Sequence, residues 1–408
     1  MKGIFLVTFL LISSFTHAES FEELTQRLES HELLKSQLSK VEAMQEKARQ
    51  SGSWGDPMLS VSAVNFPVES LSRNESMMTG IQFGLSQKLS ISGKYGKLEE
   101  SAIQQAKTQK AQTMQLSREF LKGIWEFGIQ KERLVNEYKV LKGNYDWIEN
   151  HLKITKRLYS TGKVPQQAVL DIQIRKSELK SQIDQNKYSQ ESLKSQLSVL
   201  LSSEKTLDID LGTIPWKLLN SWQKSKSDQD YHELALKHNL QASDLKVDAQ
   251  NRNYFPDITL GVSYTERNDI DGVGDFVGAS ITIPLPTSEM RYAAKKEAVF
   301  KKMEAQKQYR NYLNSRPNIL KKLTFEIMDV SNQLQVLQKE TLKYSKSSRD
   351  VTAKSYSRGG ADYVELLRSE LQYQNQLIKE INLIANLKTK KINYLFVNGS
   401  SLRTGREL

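Results

Sequence analysis

The chain contains no cysteine, which excludes disulfides, thiolate metal sites and a lipid-modified N-terminal cysteine. Proline and glycine are sparse, 8 and 20 in 408 residues, so little interrupts regular structure and long helices are favoured. Long apolar runs are missing except at the N-terminus. There Met1-Lys2 precedes an apolar stretch from Ile4 to Ile12 and the A-x-A-like Thr16-His17-Ala18. The pattern reads as a secretory signal peptide over residues 1–18, cleaved after Ala18, because a membrane anchor needs roughly 18 or more apolar residues.

Histidine is scarce, and none of the five lies at i, i+3 or i+4 from another; His232 and His238, six apart, sit on different sides of a helix. No metal site is expected. Gly272, Gly274 and Gly278 miss the G-x-G-x-x-G spacing and join two strand-like runs, so a hairpin loop is the better reading than a phosphate loop. No nucleophile elbow or paired carboxylates stand out. The expectation is therefore no enzyme, no catalytic residue and no cofactor. The net charge of +11 includes Lys2, leaving +10 beyond the leader. The basic clusters at 293–307 and 388–391 alternate with Glu and Gln at helical spacing, which reads as solvated helix faces and not as a nucleic-acid surface.

What the chain does have is an internal repeat. Pro57 corresponds to Pro256, Lys88-Leu89 to Pro284-Leu285, and Tyr159 and Gly162 to Tyr356 and Gly359, at offsets of 199, 196 and 197. Landmarks agreeing this closely indicate a tandem duplication of a unit of about 195 residues. The units occupy 19–206 and 231–397, with a connector at 207–230 and a tail at 398–408. Each reads as a helix, two strands, a very long helix, a glycine turn and a second long helix. Gly162 and Gly359 supply the left-handed residue that ends one helix, and Pro165 suits a first helical turn.

The strands are expected at about 58–66 and 78–89, and again at about 257–266 and 275–284. Ile258, Leu260, Val262 and Tyr264 alternate with Thr259, Gly261 and Ser263, and the other three runs share this apolar-against-small-polar alternation. Such runs match a tilted strand crossing a bilayer with lipid outside and a lumen inside. Four strands cannot close a membrane barrel, so spanning requires oligomers: eight strands in a dimer, twelve in a trimer. The helix after Tyr95 should run some 60 residues, about 90 Å. Near-heptad seams at Val169, Ile172, Leu179, Ile183, Leu193, Leu197 and Leu200, and at Val364, Leu367, Leu371, Ile378 and Ile381, indicate side-by-side helix packing.

In this order and duplication, "YSTGKVPQQAVLDIQ" (159–173), "YSRGGADYVELLRSE" (356–370), "NYFPDITLGVSY" (253–264) and "SITIPLP" (280–286) resemble the TolC-type outer-membrane efflux proteins, the outer membrane factor family. The resemblance covers essentially the whole chain after the leader. It implies a mainly α fold with a small membrane β part: a homotrimer whose twelve-stranded β-barrel, seated in outer-membrane lipid, continues as a long periplasmic α-helical barrel. It implies a passive duct with no nucleic-acid partner, docking through its helical tips on a periplasmic adaptor driven by an inner-membrane efflux pump. The tips centre at about 159–165 and 356–362. Tyr159, Gly162, Val164 and Leu170, with Tyr356, Gly359, Ala361 and Leu367, would be the adaptor-contacting residues. "DPMLSV" (56–61) and "LSQKLSISGK" (85–94) are similar to the cobalt-zinc-cadmium class of heavy-metal efflux channels. Where some members ring the periplasmic aperture with two acids one turn apart, this chain holds Glu365 and Arg368, an expected gate in which Arg368 pairs with Glu365 of the same or a neighbouring helix. The competing reading is a periplasmic coiled-coil scaffold or adaptor, for which four bilayer-length strands have no use.

Overall fold

The structure, a computed structural model, describes residues 18–224, 229–268, 272–285 and 287–403; most of the proposed leader and the end of the tail lie outside the described residues. The chain divides into two compact units, one of residues 1–35, 114–230 and 316–408, the other of 36–113 and 231–315.

The second unit holds the sheet. Strands β1 (Met58–Val64), β2 (Gly80–Leu89), β3 (Ile258–Arg267) and β4 (Phe276–Thr282) form one antiparallel sheet in the order β1-β2-β3-β4. The register places Val61, Phe83, Tyr264 and Val277 in one row, and Ser60, Gly84, Ser263 and Gly278 in a row on the opposite face. The edge strands β1 and β4 span seven residues and the central pair ten. The polar face is crowded: a Cβ at Gly84 would lie 2.6 Å from Ser60 Oγ, and one at Gly278 2.7 Å from Ser263 Oγ. Glycine leaves room there for the serine hydroxyls of the neighbouring strands.

The helices of this unit are α2 (Glu32–Gly52), the first part of α3 (Lys94–Ser160), α5 (Tyr231–Arg252) and the first part of α6 (Glu289–Val336). The buried seams of α5 and of this part of α6 are built from alanine: Ala235, Ala242 and Ala249 on α5 and Ala298 and Ala305 on α6, each seven residues apart. Small side chains at a heptad interval let helix backbones approach closely, and Ser101 Oγ of α3 donates to the Ala242 carbonyl at 2.7 Å.

The first unit has the larger core. Trp125 of α3 is fully buried, edge-on to Phe21 of α1 (Phe21–Gln26) at 5.0 Å and to Trp216 at 5.9 Å, and its indole N–H donates to the Leu402 carbonyl at 3.0 Å. Ser20 opens α1 with a capping box closed by Glu23. Glu19 forms an isolated parallel bridge with Ile209, so the connector is tied to the segment just past the proposed cleavage point. The same unit contains the rest of α3, α4 (Gln166–Leu200), the rest of α6, α7 (Leu342–Ser357) and α8 (Tyr363–Val397). Pro317 lies inside α6, and Leu337–Thr341 is a π-helical turn leading into α7.

Candidate functional site

The two glycine turns have the same geometry. At the end of α3, Gly162 has φ +69°, its N–H donates to the Tyr159 carbonyl at 2.9 Å, and the Lys163 N–H donates to the Leu158 carbonyl at 2.9 Å. At the end of α7, Gly359 has φ +83°, its N–H donates to the Tyr356 carbonyl at 2.9 Å, and the Gly360 N–H donates to the Ser355 carbonyl at 3.0 Å. Both are Schellman closures with glycine in the left-handed position. Pro165 and Asp362, 197 residues apart, are the N-cap residues of α4 and α8. Pro165 thus sits one place before the first helical turn.

The side chains around these turns diverge. Tyr159, Gly162, Leu170 and Gly359 are exposed, and Val164, Ala361 and Leu367 half-buried, at the ends of the two hairpins. Tyr356 is different: it is fully buried, and its hydroxyl lies 2.9 Å from Thr155 Oγ1 of α3. The expectation that it touches a partner is corrected, because the ring fills the core between hairpins with Leu158, Ile172 and Leu366.

Glu365 and Arg368 both lie on the exposed face of α8, and among the described residues neither forms an ion pair. The pairing expected within one helix is absent, since an exposed i, i+3 pair gains only about 0.2–0.5 kcal/mol.

A buried ion pair of this region lies elsewhere. Arg175 of α4 places Nε 3.1 Å from Glu370 Oε2 of α8, and Nη1 3.2 Å from Glu178 Oε2. Its Nη2 also donates to Gln374 Oε1, and Gln374 Nε2 donates to Gln182 Oε1 at 3.3 Å. Glu370 is fully buried. Burial pushes its carboxyl up, and the Arg175 guanidinium pulls it partly back. The buried line of α8 is Leu366, Glu370, Gln374, Ile381 and Ala385, leaving Val364 and Leu371 exposed. The apolar seam expected through Val364 and Leu371 is therefore displaced, and polar residues hold two of its buried places.

A second polar group lies between α3, α7 and α8. The Arg349 guanidinium stacks over the Trp147 ring at 5.3 Å and the Tyr373 ring at 4.3 Å. His151 packs against Trp147 with ring centroids 4.0 Å apart, and its Nδ1 has no partner. Burial, with the Arg349 charge adding to it, pushes the His151 imidazole down to about 4. Among the described residues no cluster of three or more His, Cys, Asp or Glu could hold a metal, and no helix is long and apolar enough to cross a membrane.

Duplicated helical hairpins and a sheet with one apolar and one small-polar face find their match among known proteins. Residues 234–394 match the family model described as outer membrane efflux protein. Solved structures similar to the whole chain include the outer membrane protein VceC from Vibrio cholerae, at 16% identity over 94% of this chain and 97% of that one, with a TM-score of 0.75. CusC matches at 12% identity over 95% and 94%, with a TM-score of 0.78. The Campylobacter jejuni outer membrane channel CmeC matches at 13% over 93% and 86%, with a TM-score of 0.73. No curated protein matches in sequence. At these identities the likeness carries the fold: this chain has the outer membrane efflux channel fold, mainly helical with one small sheet.

Arg175 and Glu370 were missed in the sequence because charged residues on long helices are ordinarily solvated. The available signal was position: Arg175 falls between Ile172 and Leu179 on the heptad line.

Proposed function

We propose that three copies of this chain form an outer-membrane duct, the exit component of a tripartite efflux system, with a twelve-stranded barrel in the outer membrane and a helical extension in the periplasm. The observation that carries the reading is the sheet. Its apolar face leaves Leu59, Val61, Phe83, Leu85, Val262, Tyr264, Val277 and Ile281 exposed, and among the described residues its edges β1 and β4 have no further strand beside them. Exposed apolar rows suit lipid, and in lipid an unpaired strand edge leaves backbone groups unsatisfied, so the edges must close on other copies. A periplasmic scaffold would have no use for such a face.

The duct performs no chemistry. A periplasmic adaptor docks on the exposed parts of the tips, Tyr159, Gly162, Val164 and Leu170 with Gly359, Ala361 and Leu367, and an inner-membrane pump supplies the solute and the energy. With no ion pair inside one chain, Glu365 and Arg368 act as a gate by pairing between copies, and Glu365→Ala and Arg368→Ala should then alter conductance in planar bilayers. The 56–61 and 85–94 motifs support heavy-metal cations as the cargo, which metal against drug sensitivity of a deletion strain would test. Fractionation of cells with an oligomer assay tests the whole reading. Outer-membrane trimers are expected, and a soluble periplasmic monomer would contradict it.

A further inference from the structure

The strands carry three charged side chains: Lys88 in β2, and Glu266 and Arg267 in β3. Register sorts them by face. Lys88 is level with Thr259 and Thr282, and Arg267 with Gly80, on the face of serines, glycines and threonines. Glu266 lies on the apolar face opposite Ile81 and pairs with Arg73 at 3.2 Å. Within the strands themselves, the polar face thus carries only cationic side chains, Lys88 and Arg267.

Its two ends differ. At the hairpin-loop end, the Arg267 guanidinium stacks on Phe276, and the backbone N–H of Arg267 donates to the Asp275 carboxylate at 2.8 Å, so a carboxylate lies beside this residue. At the end where the helices begin, Lys88 Nζ lies 3.1 Å from Asp257 Oδ2, but Lys94 Nζ claims the same oxygen at 2.8 Å. Arg291 and Arg252 close on the same junction, donating to the Asn253 and Ser92 carbonyls at 3.1 and 3.3 Å. One carboxylate therefore serves two lysines, and the Lys88 side chain remains half-exposed, at 54%.

We infer that Lys88, sharing the single Asp257 carboxylate with Lys94 on the polar face of the sheet, makes the open duct favour small anions over small cations. The inference rests on the duct reading: in a closed barrel the polar face becomes the lumen, and the copies of Lys88 form a ring where barrel and helices meet. Rings of like charge set the ion preference of a pore. Glu365 and Arg368 carry opposite charges, so that pair adds no net charge at the tips to offset the ring.

The test is the reversal potential of the purified full-length protein in planar bilayers under a KCl gradient, at about 0.1 M salt, where the Debye length is about 10 Å. The wild type should favour chloride over potassium. Lys88→Gln should lower the chloride-to-potassium permeability ratio by about twofold or more, and Lys88→Arg should preserve it. A potassium preference in the wild type, or an unchanged ratio in K88Q, overturns the inference while leaving the duct intact. No conductance from folded trimers contradicts the duct reading itself, and this inference falls with it.

Discussion

Arg175 and Glu370 face each other across the α4–α8 contact with 3.1 Å between Nε and Oε2, the carboxylate wholly buried and the guanidinium nearly so. A buried ion pair of this kind holds two elements in one register but contributes little net stability, because desolving both charges offsets their attraction. Removing one partner is different, since it strands the other.

Glu370→Ala is accordingly expected to destabilise the helical part by about 3 kcal/mol or more, while Arg175→Met combined with Glu370→Leu should recover most of the loss. Denaturant unfolding followed by circular dichroism measures both. Equal losses in the single and double variants would mean that the pair is not a coupled unit.

The two tip tyrosines, equivalent by duplication, should respond differently to the same change. Tyr356→Phe deletes the contact to Thr155 Oγ1 inside the core and should cost about 1 kcal/mol. Tyr159→Phe, on an exposed side chain, should cost nothing measurable in the same unfolding experiment.

Much of this was legible in advance. The strands announced themselves because a two-residue period survives even short runs, and the tips because only a left-handed glycine closes a helix in this way. The buried polar pairs were not legible: Glu370 looks like any solvated helix charge until its partner 195 residues away is in place, and the apolar Val364 and Leu371 drew the seam to the wrong side of α8. Nor does local pattern reveal that α6 runs through Pro317, where the ring removes one backbone donor. The neighbouring Arg316 makes a tertiary contact there, an ion pair with Asp230 at 3.1 Å, that local pattern does not show either.

Acid should loosen the tip region through His151. Its folded-state value of about 4 lies below the ordinary 6.5, so the unfolded chain binds the extra proton first. The stabilisation is complete above about pH 6.5 and is lost as the pH falls towards 4, on the order of 3 kcal/mol in all. His151→Phe should flatten this part of the profile of stability against pH. An unchanged slope in that variant would assign the acid sensitivity to other groups.

Gly162→Ala and Gly359→Ala should each cost about 1 kcal/mol or more, because both residues have positive φ and the penalty is conformational. An added Cβ at Gly162 meets nothing within 4 Å, and at Gly359 only Lys163 Cδ at 3.9 Å, so crowding plays no part. Asn at either place should be tolerated better than Ala in thermal unfolding.

The central claim is that the open sheet edges close on other copies, and the absence of cysteine makes it directly measurable. Single cysteines placed along β1 at Ser60 or Ser62, combined with single cysteines along β4 at Gly278 or Ser280, should form disulfides between chains for at least one register. Oxidised membranes should then yield covalent dimers and trimers on a denaturing gel and nothing larger. Monomers alone, from every pair tried, would contradict the account.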